Sequence, residues 1–172
     1  MRFEYSDGSY ALKWDEPEGD LTMERELEII KNGRKPFVGG NWKSNGDMMF
    51  VDLFTNSVLN KIKFKNQKME VMVAPSMIHI PLFNEHCTSQ IQAGAQNVSQ
   101  YESGPYTSQV TGKMLKDMDC NWCIIGHSER RHIMKETDLV VGKKAKQSLN
   151  DGMKAIICIG ETMIENEMGH TK

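Results

Sequence analysis

The chain has 172 residues, 39% of them apolar and 26% charged, with 14 Gly and 5 Pro, the make-up of one folded domain or of a domain plus a tail. Its 21 basic and 23 acidic residues leave a net charge of −2, so no broad cationic face points to nucleic acid or to an anionic membrane surface. The longest apolar runs, such as Ala155–Ile159, fall far short of the roughly 20 residues that cross a bilayer, and no membrane insertion is expected.

Residues 1–35 carry six basic and nine acidic residues. They open without an apolar leader, and they are too acidic for a mitochondrial presequence. Cytoplasmic location is therefore the expectation, with an organelle as the alternative. Residues 1–34 read as an acidic N-terminal extension and residues 35–172 as the folded unit. Within the extension, Leu21–Ile30 is predicted as a short amphipathic helix, capped by Asp20 and stopped by Asn32-Gly33. It reads as a loosely packed arm or a docking segment.

From Phe37 onward apolar runs and helical periodicities alternate. Phe37–Gly40 is the first strand. Met49, Phe50, Leu53, Phe54, Val58 and Ile62 recur at helical spacing. Val71–Pro75 is the second strand, with a helical stretch over Ile78–His86. Ile91–Ala95 is the third, and Val110, Met114, Leu115 and Met118 mark a helix face. Trp122–Ile125 is the fourth, Leu139, Val140, Ala145 and Leu149 suit another helix, and Ala155–Ile159 is the fifth strand. Strands with so little polar alternation, separated by helices, imply an α/β protein whose parallel strands are covered on both faces. Periodicity alone leaves a barrel and an open sheet equally open.

Cys120-Asn121-Trp122-Cys123 has the spacing of a redox pair. A redox pair opens a helix, where the dipole lowers the thiol pKa, whereas this one runs into a strand. Buried small side chains are the better reading, and a redox module ranks last.

Several strands end directly in hydrogen-bonding or charged residues, at the carboxyl ends where parallel sheets do their chemistry. Gly39-Gly40-Asn41-Trp42-Lys43 puts an amide and a cation in one tight turn, suited to an anionic ligand. The densest cluster is Ile125-Gly126-His127-Ser128-Glu129-Arg130-Arg131-His132. His127 stands where a strand ends and a helix can begin, a setting that disfavours the imidazolium and suits a neutral histidine polarising a carbonyl; a histidine that merely caps the turn fits equally. Glu129 would pair with Lys43 if the first and fourth strands meet across a barrel mouth. Ser103–Thr107 reads as a protruding loop.

Phe37–Lys43, Ile125–Arg131 and Cys158-Ile159-Gly160-Glu161 together resemble the triosephosphate isomerase family, in that family's order and approximate spacing, with Trp122 and Gly142 also in place. The resemblance covers residue 35 to the end. It implies a TIM-type (β/α) barrel, present here as about strands 1–5 of 8 and incomplete in this chain. It further implies an isomerase of glycolysis and gluconeogenesis that interconverts dihydroxyacetone phosphate and glyceraldehyde 3-phosphate through an enediolate, with no metal and no cofactor. By position, His127 and Lys43 would be catalytic, Asn41 and Lys43 would bind substrate, and Ser128 and Glu129 would support them. The loop Ser103–Gln109 would enter a homodimer partner, with Thr107 at its tip.

Two departures qualify this. Gln109 stands where the family has an acid, which weakens a contact to Arg130 across the dimer. An eight-unit barrel takes about 250 residues, roughly 31 per unit, and Pro36–Lys172 supplies only 137. The family's catalytic glutamate, lid and C-terminal phosphate loops have no counterpart, and the general base is absent from the chain. Glu161 ends the fifth strand but does not match that base. The expectation is a chain inactive alone, which meets triose phosphate only when a second barrel half completes it. The alternative is a non-catalytic, isomerase-derived structural subunit (a pseudoenzyme) of a larger assembly.

Overall fold

The computed structural model describes residues 33, 35–65 and 68–171. The predicted helix at Leu21–Ile30 lies outside the described residues. Five parallel strands, β1 (Phe37–Asn41), β2 (Glu70–Ala74), β3 (Gln92–Ala95), β4 (Trp122–Ile125) and β5 (Lys154–Ile157), stand side by side in chain order. The helices between them are α1 (Met48–Ser57), α2 (Ile80–His86), α3 (Gly112–Asp117), α4 (Ser128–His132) and α5 (Asp138–Asn150), and α6 (Met163–Glu167) follows β5.

Side-chain alternation along the strands sorts two packed layers. Val73, Ala93, Ala95, Cys123 and Ile125 face the helices, where they bury Val51, Ile80, Phe83, Leu115, Val141 and Ala145. Met72, Ala74 and Ile124 pack on the other face with Trp122, Ile156 and Cys158. Gly94 belongs to this second layer, and a Cβ there would run into Sδ and Cγ of Met72, so the missing side chain makes room for the methionine.

The sheet curls. Phe37 and Trp122, the first residues of the non-adjacent strands β1 and β4, bring their rings to 4.6 Å. Nζ of Lys154, at the start of β5, sits 3.1 Å from the carboxylate of Glu70, at the start of β2, and 4.9 Å from the Trp122 ring. Opposite ends of the strand order can meet this way only across a concave face. This is the curled half of a (β/α) barrel, and it decides between the two architectures that periodicity left open. The two outer strands remain exposed, with Val38 of β1 at 51% and Ile157 of β5 at 47%, while the central strands are buried.

Boundaries shift where tertiary contacts outweigh local pattern. The helical periodicity of Met49–Ile62 breaks after Ser57 into a 3-10 turn at Leu59–Lys61. That break aims Asn60, whose side chain donates to the His86 carbonyl (2.9 Å) and accepts from the Thr88 (2.9 Å) and Ser89 (3.3 Å) amides. The fifth strand is Lys154–Ile157 rather than Ala155–Ile159, because Lys154 N already pairs with the Asn121 carbonyl while Ile159 is 89% exposed. Among the described residues, no helix is long and apolar enough to cross a membrane.

Candidate active site

A cleft of about 430 Å³ opens at the carboxyl ends of the strands, lined by Asn41, Lys43, Ser44, Met77, Gln96, Asn97, His127, Glu129, Arg130, Ile133 and Met134. Trp42 fixes the first of these segments. Its ring meets Phe50 (5.2 Å) and Phe54 (5.7 Å) of α1 and Phe83 of α2 (6.3 Å), each edge to face. Its amide donates to the Ala74 carbonyl at the end of β2. With Trp42 anchored in the core, its neighbours Asn41 and Lys43 are left to face the cleft.

Lys43 adopts φ +55°, a left-handed conformation that costs a non-glycine residue roughly 1–2 kcal/mol. Two contacts hold it there. Asn41 Oδ1 accepts the Lys43 amide at 2.9 Å, and Gln96 Nε2 donates to the Lys43 carbonyl at 2.7 Å while also bonding the Ala74 carbonyl at 3.0 Å. Backbone strain held in place this way clusters at functional sites.

On the facing side, Gly126 (φ +71°) ends β4, and a Cβ there would lie 2.9 Å from Val141 Cγ1 and from Arg131 Nη2. The turn places His127 at the N-cap of α4, where its Nδ1 accepts the Glu129 amide at 3.3 Å. That bond assigns the imidazole proton to Nε2. Glu129 joins the two halves. Its Oε1 accepts from Lys43 Nζ at 2.6 Å, and its Oε2 lies 3.5 Å from His127 Nδ1. The Lys43 hydrogen bond and then its charge hold the exposed Glu129 carboxyl below the usual glutamate range. The ion pair anticipated from sequence is thus formed by the curl of the sheet.

Behind this wall lies a network that no sequence pattern announced. Glu136 Oε1 accepts from Arg130 Nε and from Lys144 Nζ, each at 2.6 Å, and Lys144 also donates to Asn97 Oδ1 at 2.8 Å. The side chains of Glu136 and Lys144 are only 8% and 5% exposed. Burial pushes the Glu136 carboxyl up, but its two cationic partners outweigh it and hold it low, while burial pushes the Lys144 ammonium down. Arg131 is a second brace, donating to the carbonyls of Gly126 (2.7 Å) and Cys158 (3.1 Å) and pairing with Asp138 (2.5 Å).

Ser128 is exposed at the first position of α4 and is not among the cleft-lining residues. Thr107 lies in the exposed run Tyr101–Gln109 after β3, apart from the cleft, with the rings of Tyr101 and Tyr106 stacked at 4.1 Å. The Glu161 carboxylate accepts from Asn166 (2.9 Å) and Thr171 (3.1 Å) and also lies outside the cleft. Glu129 is the one carboxylate lining it among the described residues.

Cys120 and Cys123 are both fully buried, and burial pushes their thiols up to about 12 and about 11. They are core residues, as the strand context indicated, and the redox reading fails. Among the described residues, no group of three or more His, Cys, Asp or Glu could hold a metal ion.

The family model for triosephosphate isomerase matches residues 36–172. Triosephosphate isomerase of Marinobacter nauticus is 39% identical over 134 residues, which is 78% of this chain and 53% of that protein. The chloroplastic enzyme of Secale cereale is 39% identical over 147 residues (86% and 49%), and the cytosolic enzyme of Oryza sativa subsp. japonica is 39% identical over 140 residues (81% and 55%). The chain spans about half the length of the curated relatives it matches. With a half-barrel fold and a family match over four-fifths of its residues, this chain belongs to the triosephosphate isomerase family.

Proposed function

We propose that the cleft is the carbonyl-polarising and charge-neutralising half of a site that interconverts dihydroxyacetone phosphate and glyceraldehyde 3-phosphate. The observation that carries this reading is the triad Lys43–Glu129–His127, in which the Glu129 carboxylate holds a cation and the Glu129 backbone amide holds the imidazole at the same cleft. Neutral His127, with its proton on Nε2, donates to the substrate carbonyl as negative charge develops on the oxygen. Lys43 offsets the charge of the phosphate and of the enediolate, and Asn41 holds the Lys43 backbone while contacting substrate. Glu129 keeps Lys43 in place, and Ser128 supports the turn.

Glu129 is occupied by Lys43 and has no role as the base. Moving the proton between carbons needs a carboxylate within hydrogen-bond reach, and we assign it to a C-terminal barrel half that would also cover the exposed edges of β1 and β5. The working protein would then be a completed barrel in the cytoplasm, with the Thr107 loop entering a homodimer partner.

Those exposed edges also favour a second reading, a non-catalytic subunit whose half-barrel docks into a larger assembly. Mixing the chain with the C-terminal half of a full-length relative separates the two. The catalytic reading expects isomerase activity from the mixture, lost by at least about 100-fold in His127→Gln or Lys43→Ala. A stable complex without activity would leave the structural reading standing.

A further inference from the structure

The hydrogen-bond ladder between β4 and β5 ends at the very residue the cleft depends on. The Lys154 amide donates to the Asn121 carbonyl (2.8 Å) at one end, and the Cys158 amide to the Ile125 carbonyl (2.9 Å) at the other. In the alternation of a parallel ladder the next rung would run from the His127 amide to the Cys158 carbonyl. A side chain takes that place. Arg131 Nη2 donates to the Cys158 carbonyl at 3.1 Å, and its Nε donates to the Gly126 carbonyl at 2.7 Å. The guanidinium thus spans the ends of the two strands, and His127 leaves the sheet to become the N-cap of α4.

The surroundings are shaped to that fork. Gly126 (φ +71°) lacks a Cβ that would lie 2.9 Å from Arg131 Nη2 and 3.1 Å from its Nε. Asp138, the first residue of α5, holds Nη1 from the outside. The Arg131 backbone amide donates to the His127 carbonyl at 3.0 Å. Arg131 therefore grips both peptide groups that flank the His127 side chain, and the orientation of the imidazole follows from theirs.

We propose that Arg131 is a positioning residue for His127, fixing the turn in which Nδ1 accepts the Glu129 amide and Nε2 keeps its proton for the ligand. The proposal rests on the reading of His127 as the group that polarises a substrate carbonyl. Lysine cannot stand in for the arginine, because one ammonium on a flexible stem does not reproduce a planar fork that meets two carbonyls at once.

Imidazole ¹H–¹⁵N correlations of the full chain at about pH 8, where an ordinary histidine is neutral, test this. His127 should show one tautomer, protonated at Nε2. Arg131→Met and Arg131→Lys should each give a mixture of the two tautomers, with His79 and His86 unmoved as the sign that the fold stands. Asp138→Asn, which leaves both carbonyl contacts in place, should keep the single tautomer. In the chain completed by the C-terminal half of a full-length relative, Arg131→Lys should lower kcat about 10- to 100-fold and change KM by less than about twofold. An unchanged His127 tautomer in Arg131→Lys, an equal disturbance in Asp138→Asn, or an effect confined to KM would each overturn the proposal. Failure of the underlying reading looks different: the unsubstituted mixture is inactive, while the His127 tautomer still answers to Arg131 and supports the hold of one on the other.

Discussion

Lys43 and Glu129 are 86 residues apart in sequence and 2.6 Å apart in space. The ammonium of one stands at the end of β1 and the carboxylate of the other just beyond β4, two strands that are not neighbours in the sheet. Their meeting is the barrel curl expressed in a single ion pair, and Phe37 on Trp122 is its counterpart at the other end of the same two strands.

The pair sets a pH dependence of definite sign. A carboxyl whose folded pKa lies below its unfolded value contributes stability above the unfolded pKa, and that contribution is lost as pH falls through the folded one. Carboxyl resonances followed by NMR should show Glu129 titrating below an ordinary glutamate, and Lys43→Ala should return it toward the ordinary value. An unchanged Glu129 titration in Lys43→Ala would separate the two residues energetically despite their contact.

The Glu136–Lys144 contact is a different case, because both side chains are buried. Glu136→Ala strands the Lys144 ammonium beneath the cleft and should cost about 3 kcal/mol in urea unfolding, since an unpaired buried charge is expensive. Adding Lys144→Met should restore a large part of that loss. Additive losses would show that the two residues do not act as a pair.

Much of the fold was legible. All five strands and the helices after the first four of them stand close to the residues whose periodicity predicted them, because apolar runs in a doubly covered parallel sheet have little other use. The Lys43–Glu129 pair was legible too, as two charges at the ends of strands that a barrel would bring together. The supports were not. Gln96 reaches Lys43 across 53 residues, and Glu136 gathers Arg130, Lys144 and through it Asn97. Such residues carry no periodic pattern, since Gln96 is brought to Lys43 by the packing of different strands, and Glu136 lies in the loop between α4 and α5, where no helix or strand spacing sets its partners. The five-residue α4 buries none of its residues, so it left no periodicity to read.

Gly94 offers a test of the inner layer. Gly94→Ala should destabilise the chain by about 1–3 kcal/mol, because its new methyl competes with Met72 for the same space. Met72→Ala creates a cavity on its own, but the double variant should be more stable than the sum of the two single losses implies. Simple additivity would mean that the two positions do not share that space.

The buried thiols give a chemical test of the same core. At pH 8 a thiol of pKa about 12 is almost wholly protonated, so Cys120 in the native chain should react with a thiolate-directed reagent at least ~1,000-fold more slowly than an unperturbed cysteine of pKa ~8.5. Urea should expose it and remove the protection. Fast labelling of Cys120 or Cys123 in the native chain would contradict their place in the core.

The most direct measurement is a titration with dihydroxyacetone phosphate of the chain completed by the C-terminal half of a full-length relative, read at the imidazole resonances of His127. A saturable shift at His127, lost in Lys43→Ala and retained in Lys113→Ala, is the predicted result. Imidazole resonances that do not respond, or that respond equally with and without Lys43, would contradict the assignment of this cleft to a triose phosphate.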